Sequence, residues 1–156
     1  MTAPHFALVP ASYVYLLRGS GTRTEVLLQR RGDVPYMAGH WAAAAAGHVE
    51  PGETAYDAAR REAVEELAIG DLDLELAFTM QRSQFGPAVE ERVDFFFTAR
   101  SWSGTPTIVE TTKATDLGWF ALSGLPTPMV PHEAYALSEL TSGARYLTFG
   151  WPPGSS

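Results

Sequence analysis

Residues 60 to 66 read Arg-Arg-Glu-Ala-Val-Glu-Glu, so three carboxylates, Glu62, Glu65 and Glu66, stand at i, i+3 and i+4. On a helix advancing about 100° per residue they share an arc of roughly 100°. Like charges at those spacings weaken an isolated helix. The arrangement calls for a compensating cation. A hard divalent ion such as Mg²⁺ takes oxygen ligands at about 2.0 to 2.1 Å, and commonly uses one or two carboxylates together with phosphate and water. An acidic face by itself equally describes a solvated helix surface. Two neighbouring features point beyond that. Gly-His-Val-Glu-Pro-Gly-Glu precedes the helix, and its Gly47, Pro51 and Gly52 specify a tight, rigid loop. Glu53 and Arg61 then supply an acid and a base able to pin that loop to the helix.

The positioning elements follow from local patterns. Thr54 is placed to cap the helix, with Asp57 three residues on as the capping-box acid. The helix is expected to run to about Leu67, where Ala68-Ile69-Gly70-Asp71 offers a stop. Tyr56, Ala63 and Leu67 are expected to face the core, whereas Ala55, Ala58 and Ala59 leave the acidic side uncrowded. Upstream, residues 6 to 17 and 24 to 30 form a hairpin across a Gly/Ser turn. The run Trp-Ala-Ala-Ala-Ala-Ala-Gly at 41 to 47 admits either a helix, on alanine's propensity, or a close-packed strand. Downstream, residues 72 to 78, 92 to 100 and 117 to 122 read as strands, with a polar loop at 81 to 91. Residues 131 to 140 make an amphipathic helix opened by Pro131, and the tail from Gly150 is expected to fray. Strands on both sides of a central helix, then a second helix, imply a mixed α/β sheet covered on two faces, an α/β/α sandwich.

At 156 residues and 46% apolar content the chain can bury one substantial core, so a single domain over 1–156 is expected. The net charge of −7 offers no field to attract a nucleic-acid duplex or an anionic membrane. A polyanionic ligand therefore needs a cation between itself and the protein. The absence of cysteine removes disulfides, thiolate metal sites and a cysteine nucleophile. The opening segment lacks a basic leader and is broken by Pro4, Pro10 and Ser12, and no run approaches the roughly 18 apolar residues of a membrane span. A cytoplasmic setting is the expectation.

Gly47, five residues, Glu53, seven residues, Arg61-Glu62, then Ala63, Val64, Glu65-Glu66, Leu67, Ala68 and Ile69 resembles the Nudix box of the Nudix hydrolase family. The likeness covers 23 residues directly, and the strand order around it is similar over most of the chain. Ala68 departs from the family's usual glycine, Ala63 is smaller than usual, and Arg60 replaces a commonly apolar residue. None of these is a ligand position.

The resemblance implies hydrolysis of a pyrophosphate linkage in a nucleoside diphosphate bearing a further group X, with Mg²⁺ or Mn²⁺. It implies Glu65 and Glu66 as main metal ligands with the Gly47 carbonyl, Glu62 as ligand or general base, and Glu53 with Arg61 as the orienting pair. Glu110 is a candidate extra acid from outside the box, with Glu90 and Glu91 behind it. The segment Glu110-Thr-Thr-Lys113 before Trp119 is similar to a Glu-Pro-x-Lys stretch in some nucleoside triphosphate pyrophosphatases of this family, without the proline. Tyr36 and Trp41 are candidates to line a base pocket, Trp119 to stack on a base and Lys113 to meet a phosphate, although strand aromatics are usually core and exposed lysines usually solvated. A nucleoside triphosphate is the leading expected substrate. Nucleotide sugars, ADP-ribose-type diphosphates and a binding module without turnover are the alternatives. Many members pair, so a homodimer is one assembly open to the chain.

Overall fold

The computed structural model describes residues 5–152. Readings of the opening segment that fall on residues 1–4, and of the tail on 153–156, lie outside that range. The chain runs β1 (Val9–Arg18), β2 (Glu25–Arg31), β3 (Trp41–Ala43), β4 (Ala45–His48), α1 (Ala55–Leu67), β5 (Leu74–Arg82), β6 (Arg92–Ala99), β7 (Ala114–Ala121), α2 (Pro131–Ser138) and β8 (Tyr146–Phe149). Eight strands form one mixed sheet in the order β3-β2-β1-β6-β5-β8, with β4 added to β1 and β7 to β2. β1 runs parallel to β6, from Val9 opposite Arg92 to Leu16 opposite Ala99, and its middle also pairs antiparallel with β4. The α/β/α expectation describes the result.

Strand alternation divides the interior in two. Val14 and Leu16 of β1 point to one side, where Ala59, Ala63 and Leu67 of α1 cover them. Tyr13, Tyr15 and Leu17 point to the other, where Ala136 and Leu137 of α2 close the cluster. The period of two thus decides which β1 residues meet which helix.

The structure decides one open reading, extends one strand and adds another. The alanine run is strand, because Ala43 pairs with Leu28 and Ala45 with Val14. β5 continues past Phe78 to Arg82, since Phe78, Met80 and Arg82 keep the inward alternation and only the last of them is charged. β8 had no sequence expectation; it pairs parallel with β5, from Thr79 opposite Tyr146 to Arg82 opposite Phe149.

α1 begins as its sequence implies: Thr54 accepts from the Asp57 backbone N–H, and the Asp57 carboxylate accepts from that of Thr54. It ends at Ala68, which adopts φ 57° and ψ 38° with its side chain exposed. A left-handed residue with a Cβ costs roughly 1–2 kcal/mol, and glycine returns about 0.5–1 kcal/mol of that through its freer unfolded chain. Ala68→Gly is therefore expected to stabilise the protein by about 0.5–1 kcal/mol, read as a higher urea midpoint at constant slope. An unchanged or lower midpoint would show that the turn is not strained.

Candidate functional site

Arg61 organises the site. Its Nε and Nη2 donate to the two oxygens of Glu53 at 2.7 and 2.9 Å, a two-pronged contact between helix and loop. Nη1 reaches Glu62 at 2.7 Å and Glu65 at 3.3 Å, and Nη2 also meets the His48 carbonyl at 3.0 Å. One guanidinium thus serves three carboxylates and a strand end. Its own pKa is raised, chiefly by the Glu53 hydrogen bonds. Glu53 accepts in addition from the Glu50 N–H at 2.8 Å. Arg61 first, and that N–H second, pull the Glu53 carboxyl down to about 2.

Gly47 lies on β4 opposite Ser12 of β1. A Cβ there would run into the Glu62 carboxylate, so glycine is what lets helix and strand approach. One turn on, Glu66 accepts from the Ala46 N–H at 2.7 Å. Burial, and after it the charge of Glu62, raise its pKa to about 8 against the pull of that N–H. Glu62 is raised as well, by burial outweighing Arg61. The acidic face is not uncrowded: Ala58 and Ala59 are fully buried, while Tyr56 is 43% exposed. The helix is rotated so that its small residues pack on the sheet. This draws Glu62 and Glu66 down beside β4 and leaves only Glu65 in solvent.

The segment after β6 is tied to the end of α1, with the Thr107 N–H donating to the Leu67 carbonyl and the Val109 N–H to that of Glu66. This brings Glu110 into a narrow recess shared with Glu66 and Gln29. Lys113 lines the same recess and pairs with Glu110 at 3.1 Å.

A wider cavity of about 340 Å³ opens on the other side of Glu66, walled by Ala46, Gly47 and His48 and rimmed by Tyr36. Arg31, Arg82 and Arg92 also line it. At its floor Glu133 accepts from the Tyr15 hydroxyl at 2.8 Å and the Ala43 N–H at 2.7 Å, and burial lifts its carboxyl to about 7. Arg82 forms a buried ion pair with Asp94 and donates to the Tyr13 hydroxyl at 3.3 Å; His132 Nε2 lies 3.1 Å from the same hydroxyl. A larger hollow of about 640 Å³ lies elsewhere, among Leu17, Leu76, Arg100 and Arg145, and holds none of the acidic helix residues. Chemistry, not size, selects the smaller one.

Of the residues singled out in the sequence, Gly47, Glu53, Arg61, Glu62, Glu65 and Glu66 come together, Glu110 and Lys113 border them, and Tyr36 overlooks the cavity with its ring beside the Arg31 guanidinium. Trp41 and Trp119 are placed elsewhere. Trp41 packs edge-on against Phe120, and Trp119 stacks on Trp102 beneath Arg18, on the α1 side of the sheet. Arg82, expected in a polar loop where it could meet a phosphate, is buried at the end of β5. Arg31, Arg92 and Glu133 were not foreseen. Their one available signal was a charged residue at an inward strand or helix position.

Among the described residues no three His, Asp or Glu side chains converge as a ready metal cluster. Glu62 and Glu65 turn to Arg61, and Glu66 to Ala46. The donor set nevertheless fits a hard divalent ion: carboxylate oxygens on one helical turn, against a glycine cradle that a Cβ would fill.

The depressed Glu53 pKa makes a prediction about acid stability. A carboxyl with a folded pKa of about 2 and an ordinary value of 4.5 contributes stability above 4.5 that is lost as pH falls towards 2. Glu53→Gln should therefore have a lower melting temperature at pH 7, and the gap to wild type should close as pH falls from 5 to about 2. A gap independent of pH would mean that the ion pair does not stabilise the fold.

Comparison with known proteins agrees with this geometry. A family model described as NUDIX domain matches residues 7–140. A human protein, 8-oxo-dGDP phosphatase NUDT18, is 34% identical over 105 residues, which span 64% of this chain but only 30% of that protein. The crystal structure of a MutT NUDIX hydrolase from Burkholderia pseudomallei superposes with a TM-score of 0.73 at 29% identity, covering 86% of this chain and 99% of that one. The NUDIX domain of Shewanella oneidensis NrtR, solved with ADP ribose, shares the fold at 18% identity and a TM-score of 0.67, over 87% of this chain and 88% of that one. With the acidic helix, its arginine clamp and its glycine cradle in the matched region, the chain belongs to the Nudix hydrolase family.

Proposed function

We propose that this chain is a divalent-metal-dependent pyrophosphohydrolase that cleaves a nucleoside triphosphate, or another nucleoside diphosphate linked to X, releasing a nucleoside monophosphate. The observation that carries the reading is the position of Glu66. It sits within an acid cluster that Arg61 only partly neutralises, on the wall of a cavity lined by arginines. The name of the human relative, a phosphatase of 8-oxo-dGDP, supports a nucleoside diphosphate skeleton.

In this reading the Gly47 carbonyl, Glu62, Glu65 and Glu66 hold Mg²⁺ or Mn²⁺. When bound, such an ion neutralises phosphate oxygens and makes water a better nucleophile. The protein's own part is positional. Arg61 keeps the Glu62 and Glu65 side chains on one side of α1, and Glu53 fixes Arg61. Tyr36, 40% exposed at the rim, offers a face for a base to stack on. Glu62 and Glu110 are the two carboxylates available to take the water's proton, and Lys113 holds Glu110 in the recess beside Glu66.

The test is turnover of dGTP, 8-oxo-dGDP and ADP-ribose, followed by monophosphate formation. Activity should vanish in excess EDTA and return with Mg²⁺. Glu66→Gln should lose more than the roughly 10- to 100-fold that even an outer-shell partner is worth, with an unchanged circular dichroism spectrum. Full turnover in EDTA, or in that variant, overturns the reading. Glu110→Gln should lower kcat while the Mg²⁺ concentration for half-maximal rate stays put; a normal kcat would leave Glu62 as the base.

A further inference from the structure

Arg92 is out of place by ordinary structural accounting. On the paired strands β5 and β6 it stands directly opposite Arg82, and like charges so placed destabilise a sheet. Asp94, two residues along and on the same face, forms its ion pair with Arg82. The nearby carboxylates turn elsewhere: Glu90 accepts from the Gln84 amide at 3.3 Å, and Glu91 from the Ser83 hydroxyl at 2.6 Å. Arg92 Nε is the single buried side-chain nitrogen or oxygen without a hydrogen-bond partner among the described residues. A buried donor left unmade is costly, and more so on a cation.

The other cations of the same cavity are committed. Arg82 is neutralised by Asp94, and Arg31 donates to the Tyr36 carbonyl at 2.8 Å while lying against the Tyr36 ring. His132 adds no charge, because burial, and then Arg82 and Arg92, drive its pKa well below the ordinary value. Among the three arginines, Arg92 alone lacks a protein acceptor, and it lines the cavity that Glu66 and Gly47 also line. A guanidinium in that state matches the oxygens of a phosphate, which it can meet with two parallel donors.

We propose that Arg92 is an anion-binding residue of this cavity, donating from its guanidinium to a phosphate oxygen of the bound nucleotide. The assignment rests on the nucleotide reading above and deepens it: the acidic helix would hold the ion that neutralises the phosphate chain, and Arg92 would donate to the same chain. An unpaired cation kept against a like-charged neighbour costs the unliganded fold stability that the ligand restores.

The experiment measures affinity and stability together. Wild type, Arg92→Met and Arg92→Lys are titrated with the α,β-methylene analogues of dGTP and ATP in the presence of Mg²⁺, and their melting temperatures are taken without ligand. Losing a hydrogen bond to a charged group should weaken nucleotide binding about 10- to 100-fold in Arg92→Met, with Arg92→Lys in between. The melting temperature of Arg92→Met should equal or exceed that of wild type, because the unmade donor and the repulsion are gone. Unchanged affinity, or a weakened one accompanied by a lower melting temperature, overturns the proposal. Wild type that binds neither of these analogues, nor the α,β-methylene analogue of ADP-ribose, overturns the nucleotide reading as well, so the two failures are distinguishable.

Discussion

The site depends on one constraint, the crowding of three carboxylates on a single turn of α1 against β4. Two like charges about 6 Å apart at an effective dielectric near 20 repel by roughly 3 kcal/mol, which is a large share of the ~5–15 kcal/mol that holds a domain together. The fold answers with Arg61. Its guanidinium is forked, so it can take Glu53 with two nitrogens and still present Nη1 to Glu62 and Glu65. A lysine, a point charge without the fork, could not hold loop and helix in one geometry. Glu66 lies beyond its reach and is left with a backbone N–H, so burial first, and the Glu62 charge after it, raise its pKa.

The alanine segment makes that arrangement possible. As a helix, 41–47 would lock the Ala46 N–H into an internal bond. As two short strands with a break at Ala44, it frees that N–H for Glu66 and aims the Ala43 N–H at Glu133. Ala42, Ala43, Ala44 and Ala45 are all buried, and larger side chains there would fill the space between the acidic helix and the cavity floor. Small size and extended backbone act together: one clears the volume, the other aims the donors.

What could be read in the sequence was local. The capping box, the span of α1, the Glu53–Arg61 contact and the acid cluster all follow from spacings under ten residues, and the two-sided sheet follows from the order of patterned segments. What escaped depends on strand register. Arg82 reads as a loop residue because a charge ends an apolar alternation, yet Thr79 to Arg82 pair with β6 on one side and β8 on the other. The facing of Trp41 and Trp119 is a matter of strand parity, which no single segment reveals; both went to core contacts away from the cavity. On α1, Ala63 and Leu67 face the core as expected, but the acidic side was misjudged for a related reason. Alanines that look like cleared space on an isolated helix are what a sheet needs for close approach, so Ala58 and Ala59 are buried, while Tyr56 lays its ring on Phe97 and stays 43% exposed.

Net charge also misleads if taken as a property of the surface that meets the ligand. The chain carries −7 overall, yet three of its eleven cationic side chains gather at one cavity. Such segregation has a cost, because a buried arginine needs a partner: the Arg82–Asp94 pair meets that need with protein atoms. Three cationic groups gathered at a pocket give it a local field that the net charge of the whole chain does not describe. Overall charge and the charge of the cavity are therefore separate properties of this chain, and only the second bears on what the cavity can hold.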